Sequence, residues 1–552
     1  MHVDVFIAGG GLAGLTLARQ LKRAAPSLDI LVAEKRTHPA PEAAHKVGES
    51  SVEIGAHYLH TVLDIAEHLR AGHLEKLGLR YFFPAGDNSN LGARLELGPA
   101  QFPPVPSFQL DRGRLENWLL ETNRATGIGV LDRAAVKDFT FGHPHHRVEL
   151  DTAEGPRTIL ARWFVDASGR AGLVRRRLGL TREVAHLANA CWWRVRRSVR
   201  LDHWVADPAW RRRVPDGTRW HSTNHLMGVG YWVWLIPLGS GSTSFGIVGD
   251  AALHPYNQLN RFDKAIEWLR LHEPQCALVA EEDRDNGNVE DFLALRHYAH
   301  GCARVYSTDR WLLTGEAGVF TDPFYSPGSD FIGIGNGYIT DLIARERRGE
   351  DVGERIERFN TDYLRLFDAF LRVYTGQYPL MGNAQVMTAK AAWDNACYWA
   401  ITALLYFQRR LTEPEFMEGI ESLMKRFFVL HARMQVLLRT WDQRDTARYA
   451  QGFANIVALD ELRHLQAALG APRMSDDALR ATLQANFALL ERFARSLQRL
   501  ASEVDPALGR FVASPASEQE ERGFDIAAIT LERIPLDRPI PAAVTSAVRH
   551  SE

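Results

Sequence analysis

The sequence predicts an α/β protein in three parts. These are an α/β unit assembled from separated stretches of chain, a β-rich domain inserted into it, and a helical C-terminal region. Three observations carry this. "VDVFIAGGGLAGLTLARQL" (3–21) is a β-branched apolar run, a glycine turn and then a helical pattern. In "GYWVWLIPLG" (230–239), Trp232 and Trp234 share one face of an extended segment, because strand side chains repeat every two residues. From about 351 to 512, apolar residues recur at three- and four-residue spacing.

At the amino terminus, Gly9, Gly11 and Gly14 occupy the G-x-G-x-x-G positions. The first glycine allows a tight turn, the second lets the backbone approach a pyrophosphate, and the third lets helix and strand pack closely. The helix start offers free N–H groups and a positive dipole end to phosphates. A second apolar strand, "DILVAEK" (29–35), ends at Glu34, twenty residues past Gly14. An acid at that distance is placed to bind a ribose hydroxyl pair. Together these predict a Rossmann-like dinucleotide-binding unit, with NAD and FAD both open at this point.

The composition, 46% hydrophobic and 24% charged, is ordinary for a globular chain of 552 residues, and the net charge of -2 gives no footprint for nucleic acid. The basic run "RVRRSVR" (194–200) reads as alternating charge on an exposed strand. Cys191, Cys276, Cys302 and Cys397 lie far apart and form no C-x-x-C pair. That argues against a zinc site or a disulfide framework and for reduced cytoplasmic thiols. The start lacks the basic region and cleavage site of a signal peptide. The longest apolar stretch, "ACYWAITALLYF" (396–407), is too short to span a bilayer.

Two later segments bear on the cofactor. "WFVDASGR" (163–170), with Asp166, and "RWLLTGEAGVFTDPFYSPGSDFIGIGNG" (310–337) are each an apolar strand running into a small-residue turn. Both resemble the later flavin-binding segments of the two-domain FAD monooxygenase superfamily, which favours FAD. The resemblance implies that Glu316 holds the ribityl chain, where the family usually has Asp. It also implies that Arg112, in "FQLDRGRLENWLL" (108–120), lies against the cofactor, a surface cation at a helix start being the blander reading. No second G-x-G-x-x-G follows, so FAD reduced externally by a separate flavin reductase is expected.

"WVWLIP" (232–237) matches the W-x-W-x-I-P motif of the flavin-dependent halogenases, and three more segments resemble that family. "KVGESSVEIG" (46–55) resembles its G-E-[AS] segment, with Glu49. "EKLGLRYFF" (75–83) resembles its lysine-bearing strand, with Lys76 in the place of the essential lysine. "FTDPFYSPG" (320–328) resembles F-x-x-P-x-x-S-x-G, with Pro323, Ser326 and Gly328. The resemblance spans roughly residues 1–340.

It implies that reduced FAD reacts with O2 to a flavin hydroperoxide, which chloride or bromide attacks to give hypohalous acid. That oxidant then halogenates an electron-rich aromatic substrate, phenolic, resorcinol-like or pyrrole-like, free or carrier-bound. Trp232 and Trp234 would keep the substrate off the flavin, and dry walls limit hydrolysis of the oxidant. Lys76 would polarise the hypohalous oxygen as an ammonium or form a haloamine as a neutral amine. Without a flavin, the Trp pair reads as core packing and the lysine as a solvated surface group.

In the family, backbone N–H groups of the S-x-G turn bind halide. Pro327 has no N–H, which leaves the amides of Gly328 and Ser329, beside Ser326, as a small anion nest. The missing donor keeps open a related FAD monooxygenase that uses no halide. A flavin-binding protein whose C-terminal region is a partner surface is a third reading. Tyr325 stands where tryptophan-type halogenases carry Glu, which is similar to the phenol and pyrrole type.

"GQYPLMGNAQVMTAKAAWDNACYWA" (376–400) mixes aromatic, Met and small polar residues. It makes Trp393, Tyr398 and Trp399 candidates for an apolar substrate channel, an aromatic core being the blander reading. An amphipathic face for a carrier protein or lipid surface is a further option. "HPHH" (143–146) reads as a hairpin loop rather than a metal site, and "EEDRDNGNVED" (281–291) as a solvated loop. The predicted division is an interleaved FAD-binding domain (1–80, 105–180, 300–350), a β-rich substrate domain (81–104, 181–299), a helical region (351–512) and an extended tail (513–552).

Overall fold

Two sheets organise the chain in the computed structural model, which describes residues 1–43, 46–215, 217–511 and 526–534. In the first, Gly129–Leu131, Ile30–Ala33, His2–Ala8 and Gly155–Asp166 run parallel, and Trp311–Leu313 joins the carboxyl half of the last strand. Val5, Phe6 and Ile7 are fully buried, as expected for a parallel sheet covered on both faces. The crossover from the first strand is the helix Leu12–Ala24, which packs against the helices Arg112–Ala125 and Gly328–Arg347. The carboxyl ends of these strands meet along one edge, where open α/β sheets bind their ligands. Ala134–Thr140 and His146–Thr152 form an antiparallel hairpin on the other half of the long strand, and the His-rich segment is its loop.

The second sheet has eight strands. Their order is Val289–Leu295, Ala188–Val195, Thr243–Asp250, Tyr231–Pro237, Thr223–Gly228, Leu79–Phe82, Glu96–Leu97 and Phe453–Ala454. Its two faces follow from the two-residue period. Tyr231, Val233 and Leu235 pack with the helices Phe262–His272 and Pro274–Asp285, whereas Trp232, Trp234 and Ile236 join the main core. The last strand comes from the helical region, so that region completes the sheet.

Four long helices, Gly353–Arg372, Ala384–Cys397, Glu421–Arg444 and Asp476–Ser502, form most of the C-terminal part. Ala384–Cys397 is buried almost all round although it carries Gln385, Lys390 and Asp394, which find hydrogen-bond or ion-pair partners there. It runs into a π-helical turn, Tyr398–Ala403. Most of the predicted tail lies outside the described residues; within 526–534, the Leu531 amide donates to Gln385 Oε1 at 2.8 Å.

Two expectations about surface charge fail. The run from Arg194 does not begin on an exposed strand: Arg194 is fully buried at the end of Ala188–Val195. Its guanidinium is matched by Glu49 at 2.7 Å and Asp291 at 2.6 Å, which makes its burial tolerable. The polar run 281–291 is not a loop but the end of one helix and the start of a strand. Asp283 is buried there because Arg197 pairs with it.

Candidate active site

A cavity of about 620 Å³ runs along the strand edge of the first sheet and under the second. Gly9, at φ +117°, opens it, and a Cβ there would fall 2.3 Å from the Ala167 carbonyl oxygen. Gly9 and Gly11 line the cavity; Gly14 lies behind, where a Cβ would meet the Gly9 oxygen at 2.0 Å. Glu34 lines one end and accepts from the Gly10 amide at 2.7 Å. Arg112 and Glu49 line the wall, and Arg112 donates to Glu116 at 2.7 Å and to the Val47 carbonyl at 2.6 Å. Glu316 lines it near Arg170, at 3.9 Å, and desolvation holds its carboxyl above the usual carboxylate range. Asp166 does not reach the cavity: it is buried and accepts from the amides of Ser168 and Val174 at 3.0 and 2.7 Å, fixing the turn after its strand.

Trp232 and Trp234 line the far end with Trp192 and Ile236. Their rings lie 5.6 Å apart and are held by hydrogen bonds. Trp232 donates to Tyr378 Oη at 3.0 Å, which in turn donates to Asp322 at 2.7 Å. Trp234 donates to Ser244 Oγ at 3.1 Å, and that hydroxyl donates to Glu49 at 3.0 Å. The Trp234 indole is therefore tied to the buried Arg194–Glu49 pair, and the Trp232 indole to Asp322.

A second cavity, about 80 Å³, is nearly all apolar. One water takes about 10–15 Å³ on this scale, so the space suits one small ring with its substituents. The segment from Pro323 to Asp330 separates the two cavities: Pro323, Ser326, Gly328 and Ser329 line the larger, whereas Tyr325, Pro327 and Asp330 line the smaller. The segment from Glu49 to Glu53 divides likewise, with Glu49 and Ser50 on one side and Val52 and Glu53 on the other. The two tryptophans line only the larger cavity.

Lys76 sits in this partition. It precedes the strand Leu79–Phe82, is fully buried, and donates to Ser50 Oγ at 2.7 Å and to the Ser51 carbonyl at 2.9 Å. Burial lowers its pKa to about 7, against the opposing charges of Glu53 and Asp330, and burial raises the pKa of Asp330 to about 8. A proton near neutral pH can therefore reside on either group. Ser326, at φ +59°, donates its hydroxyl to Ser50 Oγ at 3.0 Å, so Ser50 links the turn to Lys76. The sequence reading singled out neither Ser50 nor Asp330; a hydroxyl in a G-E-S segment and an acid in the first turn of a helix carry no signal until the partition is formed.

Of the candidate channel aromatics, Tyr398 lines the smaller cavity and donates to Asp330 at 2.8 Å. Trp399 donates to Glu53 at 2.8 Å, and Trp393 is packed against Phe493 and His431.

Comparison with known proteins places flavin-dependent halogenases among the chain's relatives. The model of the NAD(P)-binding Rossmann-like domain matches residues 7–71. The chain is 25% identical over 449 residues to the flavin-dependent halogenase chlA of Dictyostelium discoideum, covering 73% of this chain and 71% of that one. It is 28% identical over 344 residues to a 1H-pyrrole-2-carbonyl-[peptidyl-carrier protein] chlorinase of Pseudomonas fluorescens, covering 59% and 72%. The chain resembles the flavin-dependent halogenases. A solved structure of the halogenase PltM in complex with phloroglucinol and FAD has the same fold, at TM-score 0.63 and 15% identity, covering 93% of this chain and 99% of that one.

FAD is the cofactor of this family, and the larger cavity fits it on its own chemistry. The glycine turn leaves room for a pyrophosphate, Glu34 stands at the ribose end, and the fully buried Arg112 Nε, Ser329 Oγ and Trp192 Nε1 have no protein partner. No described helix is long and apolar enough to cross a membrane.

Proposed function

We propose that the chain halogenates a small electron-rich arene, phenolic, resorcinol-like or pyrrole-like, with chloride or bromide. The carrying observation is the buried Lys76, bonded to Ser50 and Ser51 in the segment between a dinucleotide-sized cavity and a ring-sized one. Gly9, Gly11, Glu34, Arg112 and Glu316 would hold FAD, with Glu49, Pro323 and Gly328 around the flavin end; Gly14 and Asp166 support that wall from behind. Bound FAD, reduced by a separate flavin reductase, supplies with O2 the two-electron oxidant that turns halide into hypohalous acid. The amides of Gly328 and Ser329, at the start of the helix Gly328–Arg347, would hold the halide beside Ser326.

Trp232 and Trp234 exclude water from the flavin end of the larger cavity. Lys76 receives the small oxidant through the partition and donates a proton to its oxygen as the carbon–halogen bond forms. That oxygen leaves as water. The ring carbon then loses its proton, for which Glu53, lining the smaller cavity, is the acceptor, and Asp330 once it is ionised. The arene would sit in the smaller cavity and never meet the flavin. The relatives named for carrier-bound pyrrole and for phloroglucinol support both free and carrier-bound substrates. The four buried free cysteines suit a reducing cytoplasm.

The test is one turnover of chemically reduced, FAD-loaded enzyme with O2 and a panel of phenols, indoles and pyrroles, run without halide, with chloride and with bromide. A halogen isotope pattern in the product mass supports the reading. Oxygen addition independent of halide supports the second one, an oxygenase, which Pro327 favours by removing one amide from the turn.

A further inference from the structure

The smaller cavity has a second polar feature that the reaction above does not use. Asp394, on the helix Ala384–Cys397, and His431, on the helix Glu421–Arg444, both line it, among Leu366, Phe370, Phe427 and Phe428. Asp394 is 8% exposed. Its Oδ2 accepts from Tyr325 Oη at 3.1 Å and lies 2.9 Å from Lys390 Nζ, and its Oδ1 accepts from Gln435 Nε2 at 2.7 Å. A carboxylate has about four acceptor positions, so these three bonds leave capacity for one more. His431 is 6% exposed, and its Nδ1 makes no hydrogen bond within the protein. Burial keeps this imidazole neutral, with a pKa of about 4.

A buried carboxylate–ammonium pair contributes little to stability compared with an apolar packing of the same shape. If its task were only to brace the helix Ala384–Cys397, it would not need to face an apolar cavity sized for a ring. A hydroxyl group suits the pair better than a pyrrole N–H, because a hydroxyl both donates and accepts whereas the N–H only donates.

We propose that Asp394 and His431 form a hydroxyl-binding end of the smaller cavity, with the arene O–H donating to Asp394 and accepting from His431. This makes hydroxyarenes the substrate class. Tyr325 joins Asp394 to the partition turn, so hydroxyl recognition is built onto the same turn that carries Ser326. The inference rests on the reading of this cavity as the arene site, but its test does not require halogenation.

The experiment is titration calorimetry of the FAD-loaded, oxidised protein with resorcinol and with 1,3-dimethoxybenzene, which has the same ring and no O–H. Wild type is expected to bind resorcinol at least about tenfold more tightly than the dimethyl ether. Asp394→Asn should lose that preference by weakening resorcinol alone, at unchanged FAD content. His431→Phe, which keeps the ring stacking, should weaken resorcinol in the same sense and serves if the Asp394 variant does not fold. Equal binding of the two ligands by wild type, or equal weakening of both in the variants, overturns the proposal. Because no halide or turnover is involved, failure of the halogenation assay and failure of this recognition are read separately.

Discussion

In the proposed reaction, Lys76 concentrates the chemistry in one titratable group. Its pKa of about 7, against the ordinary 10.5, arises from burial first. Between those pH values the unfolded chain holds a proton that the folded chain lacks, so this group makes stability rise with pH across that window. Lys76→Met removes the burial penalty, so its stability gain over wild type should be largest at pH 7 and below and shrink toward pH 10. Chemical denaturation at about pH 6, 8 and 10 checks this, and a gain constant with pH would contradict a depressed pKa. In activity, Lys76→Ala should abolish halogenation while FAD binding and peroxide formation continue, read by product mass and a peroxide assay. The sequence marked Lys76 through its surrounding segment alone. Its bond to Ser50 spans 26 positions and that of Ser50 to Ser326 spans 276, distances no local pattern reports.

The elements obey their local patterns where one residue type is sterically required. Gly14 has the Gly9 oxygen 2.0 Å from where a Cβ would stand, so Gly14→Ala should separate the helix from its strand and lose bound FAD, measured as flavin content of the purified protein. The strand Tyr231–Pro237 was legible through its alternation, and its two faces pack into two separate cores as the period requires. The strand Ala188–Val195 was legible only in part. Arg194 looked like a surface cation because its partners, Glu49 and Asp291, lie 145 and 97 positions away. Arg194→Met should leave Glu49 buried without its guanidinium and cost about 3–5 kcal/mol in unfolding free energy, measured by denaturant titration. It should also loosen Trp234, which Glu49 orients through Ser244.

At the scale of the whole molecule, the proposed arene site is a cavity that no single element encloses. Its wall draws on the partition turn, on Gly353–Arg372, on Ala384–Cys397 with its π-helical turn, and on Glu421–Arg444. Phe428 narrows it. Single-ring arenes should be turned over and fused three-ring arenes rejected, and Phe428→Ala should admit two-ring substrates. Comparing product yields across such a size series checks this, and equal yields in wild type would place the substrate elsewhere.

By itself the sequence determined the dinucleotide turn, the strand of the two tryptophans, the halogenase resemblance and the helical periodicity of the C-terminal third. Each is carried by short segments, every one within about twenty-five positions, where glycine sterics and side-chain period act directly. The tertiary structure decided that the helical region completes the second sheet and encloses the ring-sized cavity. It also decided that Lys76, Ser50 and Asp330 become buried polar groups at one partition, and that Asp394 faces the smaller cavity. The pKa of a lysine, and whether an acid faces a cavity or water, depend on which distant segments exclude solvent from it, and that is fixed only when the chain packs.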